Sequence, residues 1–307
     1  MIGTRVAVLV PCYNEEATIG SVVCDFRAAL PDSVIYVYDN NSKDRTVEIA
    51  REAGAVVRHE PLQGKGNVVC RMFADVEADI YVLVDGDATY DASSAPKLVQ
   101  ALRDGPLDMV NGRRIYRDVS AQRSGHRFGN VVLTGMVSWI FGSRIRDTLS
   151  GYRVLSRRFV KSFPALAAGF EIETELTVHA LELRMPISEL DIHYRARPEG
   201  STSKLSTYKD GLRILWEILV LLKEERPMHF FGSIALGLAL FALALAYPLF
   251  VTYLETRLVP RFPTAILSTG LMLLAFLLLV CGLILDTVTR GRREIKRMQY
   301  LSAPAPN

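Results

Sequence analysis

The chain has 307 residues, half of them hydrophobic, and its 36 Lys and Arg residues nearly balance its 33 Asp and Glu residues. This length is enough for a sizeable core, and the near-neutral balance gives no indication of a nucleic-acid partner. The hydrophobic residues are concentrated near the C-terminus, which points instead to a membrane.

The first part of the chain alternates short apolar runs with stretches of helical periodicity. The predicted strands are rich in β-branched residues and read RVAVLV, VIYVYD, YVLV and DMVNG. Helical spacing of apolar residues marks the stretches between them, which read TIGSVVCDFRAAL, DRTVEIAREAG and GNVVCRMFADVEA. This alternation predicts a mainly parallel sheet with helices on both faces, where ligands bind at the carboxyl ends of the strands.

Polar clusters follow three of the predicted strands. PCYNEE follows the first, where Pro11 is expected to end the strand, DNNSKDRT follows the second, and DGDATYD follows YVLV. Asp85 and Asp87 can share a divalent cation at the end of their strand, although Asp and Gly are also ordinary turn residues. A lysine between glycines, Lys65, can contact phosphate or lie in a surface turn, and its surroundings lack the spacing of a P-loop. The residues alone leave these alternatives open.

Two segments near the C-terminus, Phe230 to Tyr253 and Ala265 to Leu285, contain no charged side chain. Each has about 21 to 24 residues, which at about 1.5 Å per residue is enough to cross a hydrocarbon core of about 30 Å. Two buried helices of a soluble core are the alternative. The short connection predicts a hairpin, and five basic residues at 290–297 place both termini and the N-terminal part in the cytoplasm by the positive-inside rule.

The segment before the hairpin, STYKDGLRILWEILVLLKEERP, has leucines at helical spacing and a charged opposite side. It predicts either an amphipathic helix in the membrane interface or an ordinary helix packed on the N-terminal part. The predicted organisation is a cytoplasmic N-terminal domain at 1–205, a juxtamembrane amphipathic helix at 206–228, two transmembrane helices at 229–288 and a basic cytoplasmic tail at 289–307.

Six motifs, in chain order, carry a resemblance to a known family: VPCYNEEATI, VYDNNSKDRT, GKGN, VDGDATYD, DTLSGYRVLSRRF and RARPEGSTSKL. Between about Val6 and Leu205 the chain resembles the family 2 glycosyltransferases of GT-A fold, in the polyprenyl-phosphate branch typified by dolichol-phosphate mannose synthase. The hairpin is similar to that of bacterial members with two C-terminal spans. The resemblance implies inverting transfer of one sugar from a UDP- or GDP-linked nucleotide-sugar donor to a dolichyl- or undecaprenyl-type phosphate at the cytoplasmic membrane face.

The resemblance also implies which residues bind the donor. Asp39 matches the nucleoside-binding aspartate of the family, and Asp85 and Asp87 match its site for the diphosphate and for Mg²⁺ or Mn²⁺, with Asp87 essential for catalysis. Arg197 and Lys204 match basic residues of a loop that closes over the donor phosphates. The complete predicted donor set is Pro11, Tyr13, Glu15, Asp39, Lys65, Asp85, Gly86, Asp87, Arg197 and Lys204.

The acceptor side is predicted in the second half of the domain. A run of arginines in GRRIYRDVSAQRSGHRFGN can bind a lipid phosphate beside a membrane, although a solvated basic face is the usual explanation of such a run. Arg123, Arg127 and Ser150 are the predicted contacts of the acceptor phosphate. The resemblance places DTLSGYR close to the reacting sugar and acceptor, and Asp147 and Arg153 in this segment are predicted to be catalytic together with Asp87.

The chain departs from the family pattern in three segments. Asn40, Asn41 and Ser42 stand where relatives often have Asp, Gly and Ser. Thr89 stands where the mannose synthases have Gln, so Thr89, Asp91 or water remains open as the third metal ligand. The loop from Gly200 to Lys204 is one residue longer than in the mannose synthases.

Two other functions fit parts of the pattern. A processive polysaccharide synthase uses the same fold, but those enzymes share Gln-x-x-Arg-Trp, and neither Trp139 nor Trp216 follows an Arg. A non-catalytic nucleotide-sugar-binding membrane subunit would not need both Asp85 and Asp87. Small residues in the spans, such as Gly232, would allow close packing in a homo-oligomer.

Overall fold

The computed structural model describes residues 4–116, 134–135, 137, 139, 141, 145–164, 172–195, 216 and 219–304. The chain divides into two compact units. The first contains Met1–Ile214 together with Ile295–Asn307, and the second contains Leu215–Glu294.

Within the described residues, the first unit is built on one sheet of seven strands. They are β1 Val6–Cys12, β2 Val34–Asp39, β3 Val56–His59, β4 Ile80–Leu83, β5 Met109–Tyr116, β6 Arg153–Ser156 and β7 Ile187–Tyr194. Their order is β3-β2-β1-β4-β6-β5-β7, and neighbours are parallel except that β6 is antiparallel to β4 and β5. The predicted mainly parallel sheet is confirmed.

Helices cover both faces of this sheet, as predicted. They are α1 Ile19–Ala29, α2 Thr46–Glu52, α3 Lys65–Asp75, α4 Ala95–Asp104, α5 Arg157–Ser162 and α6 Ile172–Glu182. Alternate side chains of β1 enter opposite cores, because successive residues of a strand face opposite sides. Val8 lies in one buried cluster with Phe26 of α1, and Leu9 lies in the other with Met72 of α3.

The chain order reverses between β1 and β4, which lie side by side. Strands β3, β2 and β1 follow one another in one direction across the sheet, whereas the later strands lie beyond β4. The pairing of Leu9 with Leu83 is parallel, so the loops that leave β1 and β4 emerge at the same edge. This is the position at which open α/β sheets form ligand crevices.

The second unit contains the predicted apolar segments as two long helices, α7 Pro227–Thr256 and α8 Phe262–Ser302. Both are long and apolar enough to cross a membrane. Buried small residues recur every seven positions along α8, at Ser268, Ala275 and Gly282, and a Cβ at Gly282 would lie 3.2 Å from the Cβ of Phe231. Small side chains therefore let the two helices pack closely, whereas Gly232 faces open space.

The basic residues after the second apolar segment continue the helix. The predicted boundary at 288/289 falls inside α8, which extends to Ser302. Arg293 donates to the Glu225 carboxylate at 3.0 Å, Arg292 donates to the Glu224 carbonyl at 3.2 Å, and Arg290 pairs with Asp286 at 2.9 Å. These arginines therefore have partners within the chain.

The last turns of α8 belong to the first unit and supply partners to two of its buried carboxylates. Lys296 Nζ lies 2.6 Å from Glu182 Oε2, and the Tyr300 hydroxyl donates to Asp108 Oδ2 at 2.7 Å. The side chains of Glu182 and Asp108 are 2% and 3% exposed. Arg158 stacks on the Tyr300 ring at 4.9 Å. The C-terminal segment thus completes the sheet-containing unit.

Candidate active site

Pro11 does not end β1, contrary to the sequence prediction. The strand continues to Cys12, and Pro11 pairs in register with Tyr38 of β2. Leu9, two residues earlier, accepts a backbone hydrogen bond from the β4 side, so the Pro11 nitrogen faces the same side. Because β4 pairs with β1 only as far as Leu83, no ladder bond is lost at the proline.

The loops that follow β1 and β2 are tied together by reciprocal hydrogen bonds. The Asn14 amide donates to Ser42 Oγ at 2.8 Å, and the Lys43 amide donates to Asn14 Oδ1 at 2.8 Å. The amide of Glu15, a predicted donor-binding residue, donates to Thr46 Oγ1 at 2.8 Å. Tyr13 lies in the same half-buried loop at the carboxyl edge of the sheet.

Asp39 lies at the end of β2, where the sequence placed it. Its side chain is 6% exposed, accepts the Ser42 amide at 3.2 Å and lies 3.3 Å from His59 Nδ1. The backbone conformation explains why the residues after Asp39 differ from the family pattern, because Asn41 has a φ of 66°. Asn is one of the few residues that adopts the left-handed region readily, so it replaces Gly there at low cost.

Asn40 holds the segment that leads to Lys65. Its side-chain amide donates to the carbonyls of Glu60 and Leu62 at 2.9 and 2.8 Å, and its Oδ1 accepts the Gly64 amide at 2.8 Å. Asn40 is 3% exposed, so these bonds form away from water. The contacts fix the start of α3 and with it the lysine.

Lys65 bridges two carboxylates from distant parts of the chain. Its Nζ donates to Asp85 Oδ1 at 2.5 Å and to Glu173 Oε1 of α6. The Lys65 side chain is 10% exposed. Burial alone would lower the pKa of Lys65, but the two carboxylates more than offset it and raise that pKa above its ordinary value. A charged ammonium therefore lies beside Asp85, and Lys65 is not part of a simple surface turn.

The Asp-Gly-Asp loop after β4 is packed against the loop after β1. Thr18 Oγ1 donates to the Gly86 carbonyl at 2.8 Å, and a Cβ at Gly86 would lie 2.7 Å from the Cys12 sulfur. Asp87 is 4% exposed and accepts from Thr89 Oγ1 at 2.5 Å. Ala88 between them has a φ of 56°, a strained conformation for a residue with a Cβ.

The two protein candidates for a third metal ligand are both engaged in the chain. The Thr89 hydroxyl donates to Asp87, which orients that carboxylate. Asp91 accepts from Ser93 at 2.6 Å and 3.3 Å, capping the 3-10 helix Ala92–Ser94, and pairs with Arg195 at 3.1 Å. Among the described residues no three His, Cys, Asp or Glu side chains form a group that could hold a metal ion.

The segment that contains Gly151 meets the Asp-Gly-Asp loop directly. The Gly151 amide donates to the Tyr90 hydroxyl oxygen at 2.8 Å, and a Cβ at position 151 would overlap the Asp85 carboxylate. The Tyr90 ring packs edge-to-face on Tyr152 and Tyr194 at 5.5 and 5.2 Å. A side chain at position 151 would therefore displace the Asp85 carboxylate.

Arg153 and Ser150, predicted to act on the reacting groups, are both fully buried. Arg153 donates to the carbonyls of Ser150, Thr148 and Glu173 at 3.0, 2.8 and 2.8 Å. Ser150 Oγ donates to the Gly112 carbonyl at 2.6 Å. Burial lowers the pKa of Arg153 to about 10, which still leaves it charged at neutral pH. This arrangement positions the loop and α6, and the predicted roles of Arg153 at the reacting sugar and of Ser150 at the acceptor phosphate stay predictions.

Asp147 lies at the same edge, held between β5 and β7. It is 6% exposed and forms a two-point salt bridge with Arg114 of β5. Its backbone carbonyl accepts from Asn111 at 2.7 Å, and its amide donates to Glu189 of β7 at 3.3 Å. The Arg114 guanidinium carbon lies 5.7 Å from the centre of the Tyr194 ring.

Four predicted site residues lie outside the described residues: Arg123, Arg127, Arg197 and Lys204. Their predicted roles at the acceptor and donor phosphates stay predictions. The structure brings together the other predicted positions at one edge of the sheet, from the loops after β1, β2 and β4 and from the segment before β6.

The family described as Glycosyl transferase family 2 matches residues 7–160, the segment that contains these loops. The glycosyltransferase AglJ of Haloferax volcanii is 32% identical to this chain over 299 residues, covering 96% of this chain and 98% of the relative. The chain belongs to the family 2 glycosyltransferases. Its sheet is that of the GT-A-like fold of the family, as the sequence predicted.

Two further proteins are similar to this family 2 glycosyltransferase. A dolichyl-phosphate hexose transferase of Haloferax volcanii is 30% identical over 220 residues, covering 72% of this chain and 95% of the relative. Glucosyl-3-phosphoglycerate synthase from Mycobacterium tuberculosis, crystallised with Mn²⁺, uridine-diphosphate-glucose and phosphoglyceric acid, has a TM-score of 0.58 at 25% identity. The superposition covers 72% of this chain and 79% of that chain.

Sequence analysis missed several residues that build the site. Glu173 contacts the site from a helix, and Tyr90 contacts it from a turn. Their contacts are tertiary, so no short sequence motif predicts them. Asn40 was noted only as a departure from the family, yet it holds the segment before Lys65. Arg114 was noted only as part of a basic run. The available signal was that Arg113 and Arg114 are consecutive. Because consecutive residues of a strand face opposite sides of the sheet, the two arginines of β5 could not both belong to one basic face.

Proposed function

We propose that this family 2 glycosyltransferase transfers a single sugar from a UDP- or GDP-linked donor to a polyprenyl phosphate at the cytoplasmic face of a membrane, with inversion at the anomeric carbon. The observation that carries the proposal is the position of Asp39 at the end of β2 and of Asp85 and Asp87 directly after β4, with Lys65 in contact with Asp85. Charged groups of both signs at that edge suit a nucleoside and its diphosphate. The long apolar helices and the similarity to a dolichyl-phosphate hexose transferase support a lipid acceptor.

The residues present fit a divalent cation. Asp85 and Asp87 offer hard oxygen ligands two positions apart in one loop, and Mg²⁺ or Mn²⁺ commonly takes one or two carboxylates and completes its shell with substrate phosphate and water. When bound there, such a cation would neutralise negative charge on the departing nucleoside diphosphate. Thr89 would orient Asp87 beside the cation, and Asp91 would hold the turn through its ion pair with Arg195.

The acceptor phosphate needs no catalytic base. A phosphomonoester with a second pKa of about 6 is mostly dianionic at neutral pH, so its oxygen can attack the anomeric carbon directly. The new bond joins that oxygen to the sugar, and the bond to the nucleoside diphosphate breaks. Asp147 supports this proposal, because both of its carboxylate oxygens accept hydrogen bonds from Arg114. Arg123 and Arg127 would offset repulsion at the acceptor, and Arg197 and Lys204 at the donor.

A product assay tests the proposal. The detergent-solubilised protein is incubated with a polyprenyl phosphate, Mn²⁺ and a panel of UDP- and GDP-sugars, and the lipid products are identified by mass spectrometry. One sugar added to the lipid phosphate is the expected result. A longer polymer would indicate a processive synthase, transfer only to a soluble phosphate would exclude the lipid acceptor, and donor binding without any product would indicate a non-catalytic subunit.

Substitutions separate the two halves of the proposed site. Arg123→Ala or Arg127→Ala should raise the KM for the lipid phosphate and leave nucleotide-sugar affinity nearly unchanged, whereas Arg197→Ala should do the opposite. Equal loss of donor binding in Arg123→Ala and Arg197→Ala would contradict the division.

The membrane orientation is tested by single cysteines: one at 254–263 should react with an impermeant reagent from outside intact cells, and one at position 293 should not.

A further inference from the structure

Glu173 belongs to none of the motifs that the sequence analysis assigned to the donor, yet it shares the Lys65 ammonium with Asp85. The Glu173 side chain is 9% exposed, and that of Asp85 is 28% exposed. The ammonium therefore lies between a deeply buried carboxylate and a more accessible one.

The backbone of Glu173 is held by contacts that do not involve Asp85. Its backbone carbonyl accepts hydrogen bonds from Arg153 at 2.8 Å and from Thr177 Oγ1 at 3.1 Å, which fix the first turn of α6. Lys65 is fixed separately, because its helix begins directly after the segment held by Asn40. A buried anionic partner thus stays beside the lysine when Asp85 is engaged elsewhere.

We infer that Glu173 is a positioning residue that retains the Lys65 ammonium when a divalent cation takes Asp85. The inference rests on the proposed function, since it assumes that Asp85 binds the cation of a metal–nucleoside diphosphate complex. Lys65 occupies Asp85 Oδ1, so the cation and the ammonium compete for that carboxylate. Glu173 makes the exchange less costly, because a buried ammonium left without an anionic partner would be strongly disfavoured.

A double-mutant cycle on Mn²⁺ affinity tests this role. Binding to the full-length, detergent-solubilised protein is measured by electron paramagnetic resonance of the free ion, with saturating uridine or guanosine diphosphate. Glu173→Gln keeps the shape and removes the charge, and it should raise the Kd for Mn²⁺ about tenfold, the size expected for one charge-assisted hydrogen bond. Lys65→Met removes the competitor, and in that background Glu173→Gln should change the Kd by less than about threefold.

The control variant is Glu175→Gln, which removes one negative charge from the same helix and should leave the Kd for Mn²⁺ unchanged. Circular dichroism and thermal unfolding establish that each variant is folded. Equal weakening by Glu173→Gln with and without Lys65 would overturn the inference, because Glu173 would then be a ligand or a general source of negative potential. No Mn²⁺ binding by the unchanged protein would instead overturn the proposed metal site, and the inference with it.

Discussion

Arg114 and Asp147 meet through two parallel hydrogen bonds, from Nε to Oδ2 at 2.8 Å and from Nη2 to Oδ1 at 2.7 Å. Their side chains are 15% and 6% exposed. A carboxylate that accepts twice from one guanidinium fixes the plane and direction of that guanidinium. Asp147 is thus arranged to hold Arg114 at the sheet edge, as expected if the acceptor phosphate needs no catalytic base.

Asp147→Asn should therefore reduce sugar transfer without abolishing it. We expect kcat to fall about tenfold to a hundredfold, the effect of weakening one buried charge-assisted contact. If Asp147 acts through Arg114, the same substitution in an Arg114→Ala background should change kcat by less than about threefold. Complete loss of turnover in Asp147→Asn, with both substrates bound normally, would require a carboxylate base in the mechanism.

Asp87→Asn should abolish sugar transfer and leave the fold intact. The asparagine can still accept the Thr89 hydrogen bond, which holds the turn at 2.5 Å in this structure, but it lacks the charge needed to bind a divalent cation. Product formation with Mn²⁺ and thermal unfolding are the two measurements. Asp91→Asn is the matched control, because Asp91 holds the turn and pairs with Arg195. The rate of product formation by Asp91→Asn should stay within about tenfold of that of the unchanged protein. Near-normal turnover by Asp87→Asn would refute the metal-site assignment.

Gly151→Ala should inactivate the protein through one methyl group. The added Cβ would overlap the Asp85 carboxylate and displace it, together with its bond to Lys65. A misplacement of about 1 Å at a reacting site can cost about a hundredfold in rate, which sets the expected loss of transfer. Gly291→Ala is the control, since a Cβ there meets nothing within 4 Å. Full activity of Gly151→Ala would show that Asp85 can move freely.

Removing the contacts made by the end of α8 should destabilise the sheet-containing unit. Lys296→Met deprives the buried Glu182 of its cation and should lower the free energy of unfolding by about 1 to 3 kcal/mol. Tyr300→Phe loses one hydrogen bond to Asp108 and should cost about 1 kcal/mol. Denaturant unfolding of the solubilised protein measures both. The exposed Arg297 provides the control, and an effect of Arg297→Ala as large as that of Lys296→Met would indicate a nonspecific charge effect.

Stability should fall in mild acid because of His179. Burial, reinforced by the charge of Lys296, lowers the pKa of His179 to about 3, whereas its unfolded value is 6.5. Between these values the unfolded state binds more protons, so the stabilisation is complete above about pH 6.5 and is lost as the pH falls toward about 3. His179→Gln should flatten the fall in stability between about pH 6.5 and 4.5. His193→Gln, at an exposed position, is the control for the loss of a histidine side chain.

Regular periodicity made much of the fold predictable from the sequence. The strands of VIYVYD and YVLV and the helices that flank them were located because burial on both faces imposes continuous apolar runs. Strand β3, with its exposed and half-buried residues, carries no such signal. The predicted end of β1 at Pro11 was wrong because it depended on where β4 stops pairing, which is a tertiary property.

The candidate site was predictable where motifs follow strands directly. Asp39, Asp85 and Asp87 lie at or directly after the ends of the strands that the sequence predicted. The arrangement of Arg153 was not predictable, because an arginine in a polar motif gives no sign that it will be wholly buried against three carbonyls. Glu173 is 108 residues from Lys65 in the chain, and only the packing of α6 brings the two together.

The reciprocal bonds between the loops after β1 and β2 bear on how specificity could change. Asn14 accepts from one loop and donates to the same loop, so the backbone on that side of the crevice becomes ordered when the sheet folds. A ligand bound there would lose little affinity to ordering of the protein, because that entropy has already been lost. A change of preferred nucleotide would then arise from exchanged side chains on this fixed backbone, whereas swapping whole loops would sacrifice the preorganisation.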